Sequence, residues 1–277
     1  MSNTANRRRA VNTERGYAAD LRDFEAWCVA SACPSTPAAA DDVARYLRER
    51  ADALAPATVA RRLAAIVAEH RRLGLASPRD EPEVRHALAS IEWRHRARHR
   101  PTRPLDAESL GRLSLCLPTT TSGVRDRAML LMGYGAGLRR TELVALDAAD
   151  VVVHEDGSLR LRLARGSVTI PAGSRPHVCA VRAWRAWSSA TALDGGPAFR
   201  PVDRHGNVGD TRLSDRAVTI VVRRAAEAAG LDASAYSGRS LRLGMILAAA
   251  AVGASDEGIM HQTGHRSRRL VRSYRQR

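Results

Sequence analysis

The sequence of 277 residues contains no lysine, and aromatic residues make up only 4% of it. Arginine therefore supplies all 44 basic side chains, a preference that the codon bias of a GC-rich genome explains without any functional reason. Arginine offers a planar fork that suits phosphate, but it holds its proton too tightly to be a convenient acid. With so few aromatic rings, the hydrophobic cores must be built largely from alanine, leucine and valine.

Cysteines and long apolar runs are scarce as well. The cysteines show no C-x-x-C spacing, so we expect reduced core thiols and no metal site. They are Cys28, Cys33, Cys116 and Cys179. The longest apolar run, residues 245–253, is too short to span a bilayer, and the arginine-rich N-terminus lacks the apolar stretch of a signal peptide. We therefore expect a soluble, cytoplasmic protein without contact to a membrane.

Positive charge is what the sequence has in excess. Its formal net charge is +15, and 44% of its residues are apolar. A surplus of this size on a chain that can build real cores usually meets a polyanion, most often nucleic acid. The length exceeds the usual size of one compact domain, so we expect two.

The first half is predicted to be all helical. Apolar residues recur at helical spacing over residues 12–29, 41–54, 56–73 and 81–95, and Asp41 or Asp42 can cap the second helix. The inward residues of the third helix are predicted to be Val59, Leu63, Ile66 and Val67. The outward residues are predicted to be Arg61, Arg62, Glu69 and His70. Arg61 and Arg62 are candidates for DNA phosphate contacts, although a solvated helix face explains them equally well.

A basic segment with two prolines, residues 94–104, follows and shows no apolar periodicity. It predicts a linker, which we place at residues 99–104, between a helical domain over residues 1–98 and a second domain over residues 105–277. Because the whole chain is basic, we expect Arg100 and Arg103 in this linker to lie along a DNA backbone.

The second domain is predicted to combine helices with a small sheet. Helical spacing covers residues 106–117 and 123–134 and resumes over 178–189, 214–229 and 241–252. Between them, residues 151–171 alternate in polarity, and turns at Asp156-Gly157 and Arg165-Gly166 divide them into three short antiparallel strands. The predicted fold class is mainly α with a small antiparallel β-sheet, an all-helical domain followed by an α+β domain.

Four segments of this domain carry residues suited to one chemical site. They are GLRRTELVAL from Gly137, YSGRSLR from Tyr236, TGHR from Thr263 and VRSY from Val271. In order and spacing they resemble the motifs of the tyrosine recombinase, or phage integrase, family: G-L-R-x-x-E-L, H-x-x-R, G-H, and a tyrosine nine residues after that histidine. The resemblance covers nearly the whole chain, since the helical first half looks like the family's core-binding domain.

The resemblance implies catalytic roles for Arg139, Arg242, His265 and Tyr274. Tyr274 would attack a DNA phosphate and form a 3′-phosphotyrosine, which conserves the bond energy until a 5′-hydroxyl displaces the tyrosine. The two arginines would stabilise charge on the non-bridging oxygens, and His265 would donate a hydrogen bond there or orient the phosphate. No cofactor is implied.

The resemblance also implies partners and a setting. The two domains would close as a clamp around double-stranded DNA. Four protomers would assemble on paired DNA sites, either alone or together with a partner recombinase. The protein would act at the bacterial nucleoid in the cytoplasm.

Two departures from the family pattern bear on activity. Arg239 stands where the family has the histidine of H-x-x-R, and the family's lysine, on the turn between the second and third strands, is missing. Arg165 on that turn is the nearest candidate for contacting the DNA or the leaving oxygen, yet arginine is a poor proton donor. Either it stabilises that oxygen by charge, or water supplies the proton, or cleavage is slow or lost.

Two alternative functions follow. The first is a degenerate recombinase that binds its DNA site without cutting it and acts as an accessory or regulatory protein. The second, an unrelated helix-turn-helix regulator, explains the charge but not the C-terminal motifs. Among residues near the motifs, Glu142 is interpreted as the structural partner of an arginine, and Trp184 and Trp187 as packing residues.

Overall fold

The computed structural model describes the backbone of residues 3–98 and 102–275 and the side chains of residues 14–95 and 102–274. The chain divides into two compact units, residues 1–100 and residues 101–277, which are described one at a time. Arg100, predicted to contact DNA, lies outside the described residues.

The first unit consists of four helices: α1 (Asn3–Ala30), α2 (Ala40–Arg50), α3 (Pro56–Arg72) and α4 (Pro82–Arg98). Helix α1 packs on α3, and α2 packs on α4. Their apolar stripes meet in a core around a trio of aromatic rings, Phe24, Trp27 and Tyr46, whose centroids lie 4.9 to 6.2 Å apart. The all-helical prediction for this half is confirmed.

Several helix ends differ from the predicted ones. Helix α1 begins at Asn3 rather than near residue 12, and α4 continues to Arg98 instead of ending near residue 95. Helix α2 ends at Arg50, since Pro56 already begins the next helix. Neither Asp41 nor Asp42 caps α2, because both lie within its first turn, where a carboxylate favourably meets the positive end of the helix dipole.

The outer face of α3 is predicted wrongly at two positions. His70 is buried: its Nε2 accepts the N–H of Ala38 at 3.0 Å, and its Nδ1 lies 2.9 Å from the carbonyl oxygen of Ile66. Both ring nitrogens thus have partners, and the imidazole ties α3 to the chain that leads into α2. Arg62 is turned inward as well, whereas Val59, Leu63 and Ile66 are buried as predicted.

The second unit begins with helices α5 (Ala107–Cys116), α6 (Thr121–Gly135) and α7 (Arg140–Ala145). Strands β1 (Val151–Val153), β2 (Leu159–Leu163) and β3 (Gly166–Ile170) follow as an antiparallel sheet in the order β1-β2-β3. Leu159, Leu161, Val168 and Ile170 are buried on its inner face. The predicted fold class, mainly α with a small antiparallel sheet, is confirmed.

Helices α8 (Ala180–Ala190) and α9 (Asp215–Ala228) complete the main core of this unit around α6. Trp187 is fully buried and donates its indole N–H to the carbonyl of Ala198 at 2.8 Å. Trp184 packs edge-on against Phe199 with ring centroids 6.0 Å apart. The interpretation of both tryptophans as packing residues is confirmed.

Three helices follow at the C-terminal end: α10 (Gly238–Ala251), α11 (Asp256–Thr263) and α12 (Arg268–Arg275). The last two are not predicted from the sequence. They pack on α10 through a small apolar cluster formed by Leu243, Ile246, Ile259, Val271 and Tyr274. Helix α11 ends at Gly264, whose φ of 69° is a left-handed conformation that favours glycine. This turn carries the next residue, His265.

The four cysteines are all free thiols. Cys28 and Cys179 are buried as predicted, but Cys33 is only half-buried and Cys116 is exposed at the end of α5. Their assignment as core residues is therefore wrong for Cys116. Across residues 3–98 and 102–275, no helix combines the length and apolarity that crossing a membrane would require.

Candidate active site

Arg139 is presented by the turn between α6 and α7. Gly137 in that turn has a φ of 57°, and an added Cβ would lie 2.4 Å from the Cε of Met245, so both the backbone and the space require glycine. Arg139 is the residue before the first turn of α7, and its side chain is 45% exposed. Its Nη1 donates to Oε1 of Glu142 at 2.7 Å, and its Nη2 donates to the carbonyl of Gly264 at 3.1 Å.

Arg242 approaches the same turn from the buried face of α10. Its Nη1 donates to the carbonyls of Gly137 at 2.7 Å and Thr263 at 2.6 Å, and its Nη2 lies within 3.2 Å of both ring nitrogens of His265. Burial, followed by the positive charge of Arg139, lowers the pKa of Arg242 to about 10, so the guanidinium still carries its charge at neutral pH. Arg242 therefore joins three separate motif segments.

His265 is held by Thr263 as well as by Arg242. The hydroxyl of Thr263 donates to the carbonyl of Ile259 at 2.6 Å, and the same oxygen lies 2.7 Å from His265 Nδ1. Because a hydroxyl has one proton, Nδ1 must donate to Thr263, which leaves Nε2 with its lone pair toward Arg242. Burial and the charges of Arg242, Arg139 and Arg165 lower the pKa of His265 to about 4, and the ring is neutral at pH 7.

Tyr274 closes the site from α12. Its side chain is 7% exposed and packs in the apolar cluster of the C-terminal helices. Its ring centroid lies 6.0 Å from that of His265, and its hydroxyl accepts a long, 3.5 Å hydrogen bond from Nη2 of Arg239. The phenol therefore points toward the motif residues rather than away from them.

Glu142 is the one carboxylate that contacts this group within the described residues. Its Oε1 accepts from Nη1 of Arg139 and, at 3.0 Å, from Nε of Arg165, while its Oε2 accepts the backbone N–H of Arg139 at 2.8 Å. The contacts agree with its interpretation as the structural partner of an arginine. Two of the site's arginines thus share a single carboxylate, and the positive charge around His265 remains in excess.

Six of the predicted residues come together here: Arg139, Arg165, Arg239, Arg242, His265 and Tyr274. The sequence alone indicates no role for Thr263, although this residue lies in a motif segment, and none for the backbone carbonyls that accept hydrogen bonds from the arginines. A threonine two residues before the histidine is a weak sequence signal for a contact with that histidine. Backbone acceptors have no sequence signal, because every residue carries a carbonyl.

The remaining candidates lie elsewhere. In the first unit, Arg61 is 49% exposed and pairs with Asp20 at 3.1 Å. Arg62 is only 14% exposed, and its guanidinium contacts Asp23 and the hydroxyl of Tyr46. These contacts give Arg62 a structural role, so of the two only Arg61 is open to a phosphate. In the second unit, Arg103 is exposed, and its backbone N–H donates to the carbonyl of Ala235 at 2.9 Å.

The arrangement suits an anionic substrate. Guanidinium groups on α7 and α10 reach one turn, where a neutral imidazole and a phenol are also present. Such groups can bind the non-bridging oxygens of a phosphate and supply a nucleophile that forms an ester with it. In the part of the chain whose side chains are described, no group of three or more His, Cys, Asp or Glu residues is arranged to hold a metal ion.

Comparison with known proteins identifies the family of this chain. The phage integrase family matches residues 103–277, and the N-terminal SAM-like domain of phage integrases matches residues 4–73. An integrase/recombinase XerD homolog of Selenomonas ruminantium is 32% identical over 278 residues, covering 96% of this chain and 82% of that protein. A tyrosine recombinase of Synechococcus elongatus is 32% identical and covers 79% of this chain and 70% of that protein.

Solved structures share the fold. The Tn1549 transposon integrase in complex with transposon right end DNA has a TM-score of 0.68 at 14% identity, over 95% of this chain and 89% of that one. The XerH site-specific recombinase bound to difH substrate has a TM-score of 0.62 at 16% identity, over 94% of this chain and 76% of that one. The matches to the family and to its relatives in sequence show that the chain belongs to the phage integrase, or tyrosine recombinase, family, and the solved structures share its fold.

Proposed function

We propose that the protein is a site-specific DNA recombinase that cleaves and rejoins DNA strands through a 3′-phosphotyrosine on Tyr274. The observation that carries the proposal is the convergence of Arg139, Arg242 and His265 on one turn, with the Tyr274 ring 6.0 Å from that of His265. These residues come from four distant segments, and a fold that needed them only for packing would have no reason to gather two guanidinium groups, an imidazole and a phenol.

In the proposed reaction, the phenol oxygen of Tyr274 attacks the phosphorus atom, and the bond from phosphorus to the 5′-oxygen breaks. Arg139 and Arg242 stabilise the charge on the non-bridging oxygens, and each such donor typically contributes about a hundredfold or more in rate. Arg239 donates to the phenolate but cannot accept its proton, since arginine stays protonated. The phenol's proton therefore leaves to water, and the 5′-oxygen takes its proton from water.

The proposed substrate is double-stranded DNA, with Arg61, Arg103 and the linker residue Arg100 as phosphate contacts. The charge of +15 supports this, because phosphate neutralisation dominates DNA affinity. Strand exchange joins two sites, so we propose that four protomers act together, alone or with a partner recombinase. The structural neighbours XerH and the Tn1549 integrase are seen bound to their DNA substrates, which supports the same substrate class.

Trapping on nicked DNA tests the proposal. A binding site is first selected from random duplexes with the Tyr274→Phe variant. A nick next to the cleavage position then lets the short fragment that carries the released 5′-hydroxyl diffuse away, so that it cannot displace the tyrosine. We expect wild type to accumulate a covalent adduct that Tyr274→Phe does not form. Tyr134→Phe is the matched control, since that hydroxyl has no hydrogen-bond partner among the described residues. An adduct that persists in Tyr274→Phe would overturn the assignment.

The absence of lysine favours a second candidate, a recombinase that binds its site without cutting. A substrate with sulfur at the 5′-bridging position distinguishes the two candidates, because a thiolate leaves without a proton. A cleavage rate much higher with sulfur than with oxygen indicates an intact site that lacks only a proton donor for the leaving group. Tight DNA binding with no adduct on either substrate favours the binding protein.

A further inference from the structure

We propose that Arg165 is a positioning residue that fastens the β2–β3 turn to the turn carrying His265, and that it neither contacts DNA nor assists the leaving oxygen. The proposal deepens the proposed function and rests on it for its catalytic consequence. It also replaces the two roles that the sequence analysis considered for Arg165.

Every nitrogen of the Arg165 guanidinium is already used within the unit. Nε donates to Oε1 of Glu142 at 3.0 Å, Nη1 to the carbonyl of His261 at 3.1 Å, and Nη2 to the carbonyl of Gln262 at 2.8 Å. The side chain is 19% exposed. Three acceptors hold the guanidinium in a fixed plane, so turning it toward a phosphate would break these bonds, although one N–H on each of Nη1 and Nη2 is not used by them.

Two of the acceptors, the carbonyls of His261 and Gln262, lie in the last turn of α11, where carbonyls have no partner inside the helix itself. A cation at this end also meets the negative end of the helix dipole. Arg165 thus acts as the C-terminal cap of α11 from outside the helix. The capped turn leads directly into Gly264 and His265. The Arg165 side chain therefore fixes the position of the backbone that carries His265.

Gly264 is shaped to admit this side chain. A Cβ at this position would lie 2.4 Å from Cδ and 2.7 Å from Nε of Arg165, in addition to the strain of a φ of 69°. The glycine before the histidine therefore has two functions here, a left-handed turn and room for Arg165.

Glu142 extends the effect to Arg139. One carboxylate oxygen receives both Arg165 Nε and Arg139 Nη1, and Arg139 Nη2 in turn donates to the carbonyl of Gly264. The hydrogen bonds form a closed ring through Arg165, Glu142, Arg139 and the 261–264 backbone. Loss of Arg165 opens that ring and loosens Arg139 and His265 together, and a misplacement of about 1 Å can lower a rate about a hundredfold.

Cleavage of matched oxygen and 5′-bridging sulfur substrates tests the proposal. We expect Arg165→Gln to slow both by the same factor, about tenfold to a hundredfold, so that their rate ratio stays at the wild-type value. A slow oxygen substrate with a sulfur substrate cleaved at the wild-type rate would show that Arg165 assists the leaving oxygen. Arg160→Gln is the control, because it removes the same charge from an exposed position on β2.

DNA affinity and amide exchange complete the test. We expect Arg165→Gln to bind DNA with the wild-type salt dependence, and a slope lowered by about 0.9 would identify a phosphate contact and overturn the proposal. The Gly264 N–H, which donates to Met260 at 2.7 Å, should exchange faster in Arg165→Gln than in Arg160→Gln. This readout needs no cleavage, so equal exchange refutes the positioning role even if wild type forms no adduct and the proposed function fails.

Discussion

The first unit, here called the helical unit, and the second unit both contain a cluster of arginines, but the two clusters differ in their partners. In the helical unit, Arg50, Arg61 and Arg62 share the carboxylates Asp20 and Asp23, and we call this the balanced cluster. In the second unit, Glu142 is the one carboxylate among the described residues that contacts the site arginines, whose other partners are mostly neutral carbonyls and an imidazole, and we call this the unbalanced cluster.

The difference separates a structural network from the proposed binding site. Burial alone would raise the pKa of Asp23, but hydrogen bonds from Tyr46 and Arg50 and the charge of Arg62 together hold it below its ordinary value. Three guanidinium groups there pair with two carboxylates, although burial still raises the pKa of Asp20. Around His265 positive charge is in excess, and burial together with the charges of Arg242, Arg139 and Arg165 lowers the pKa of the imidazole to about 4. Excess positive charge of this kind is stabilised when an anion binds beside it.

Removing an arginine from the unbalanced cluster should affect chemistry far more than stability. We expect Arg139→Gln to slow adduct formation on nicked DNA about a hundredfold or more, because a donor to the transition-state charge is lost. Its half-exposed ion pair with Glu142 predicts a change in unfolding free energy of under about 1 kcal/mol. Rates and urea unfolding curves measured on the same protein check both. Strong destabilisation with a normal rate would reverse the comparison.

Removing an arginine from the balanced cluster should do the opposite. We expect Arg62→Leu to lower the unfolding free energy of the helical unit by about 2–3 kcal/mol, near the low end for a buried pair that loses one partner, since Asp23 is partly exposed. Hydrogen exchange resolved by peptide locates the loss to residues 14–95. Cleavage of a saturating DNA substrate should stay close to wild type, and a rate loss comparable to that of Arg139→Gln would contradict the structural role.

Much of the fold is readable in the sequence because local patterns determine it. The alternation over residues 151–171 and the glycine turns specify a hairpin whose buried face is continuous, and the strands lie where predicted. Helices α11 and α12 escape prediction because each is short. Helix α12 buries Val271 and Tyr274 among four arginines, so tertiary packing rather than its own pattern holds it.

Residues that depend on distant backbone groups are not predictable in this way. His70 looks like a polar outer residue, yet the N–H of Ala38, in the loop before α2, draws it inward. Arg165 donates hydrogen bonds to backbone carbonyls about a hundred positions further along the chain. Because every residue has a backbone carbonyl, the sequence gives no sign of such a partner. The motif residues are found together around one turn, whereas their catalytic roles stay predictions until the trapping experiment is done.

Acid should affect the two clusters in different pH ranges. His265 has an ordinary pKa of 6.5 and a folded value of about 4. Between these values the unfolded chain binds a proton that the folded chain does not, so the unfolding free energy falls as pH drops from 6.5 toward 4. Asp23, with its lowered pKa, stabilises the fold above its ordinary value of 3.8 and loses that contribution only below it.

We therefore expect His265→Gln to lose less stability than wild type between pH 6.5 and 4. Urea unfolding at intervals of pH in this range measures the difference. His70→Gln is not a suitable control because that ring is buried, so the exposed His205 serves instead, as His205→Gln. If the unfolding free energies of wild type and His265→Gln change in parallel with pH, then burial and the positive charges around the turn do not lower the pKa of His265.

The smallest effect is expected at Arg61, which belongs to the balanced cluster but is half-exposed. If it also contacts a phosphate, Arg61→Gln should weaken DNA binding a few-fold and lower the slope of log affinity against log salt by about 0.9. Arg45→Gln removes the same charge from a similarly exposed ion pair with Asp42 on α2 and is the matched control. Equal slopes for both variants would assign Arg61 wholly to the structural network, and the helical unit would then have to meet DNA through other arginines.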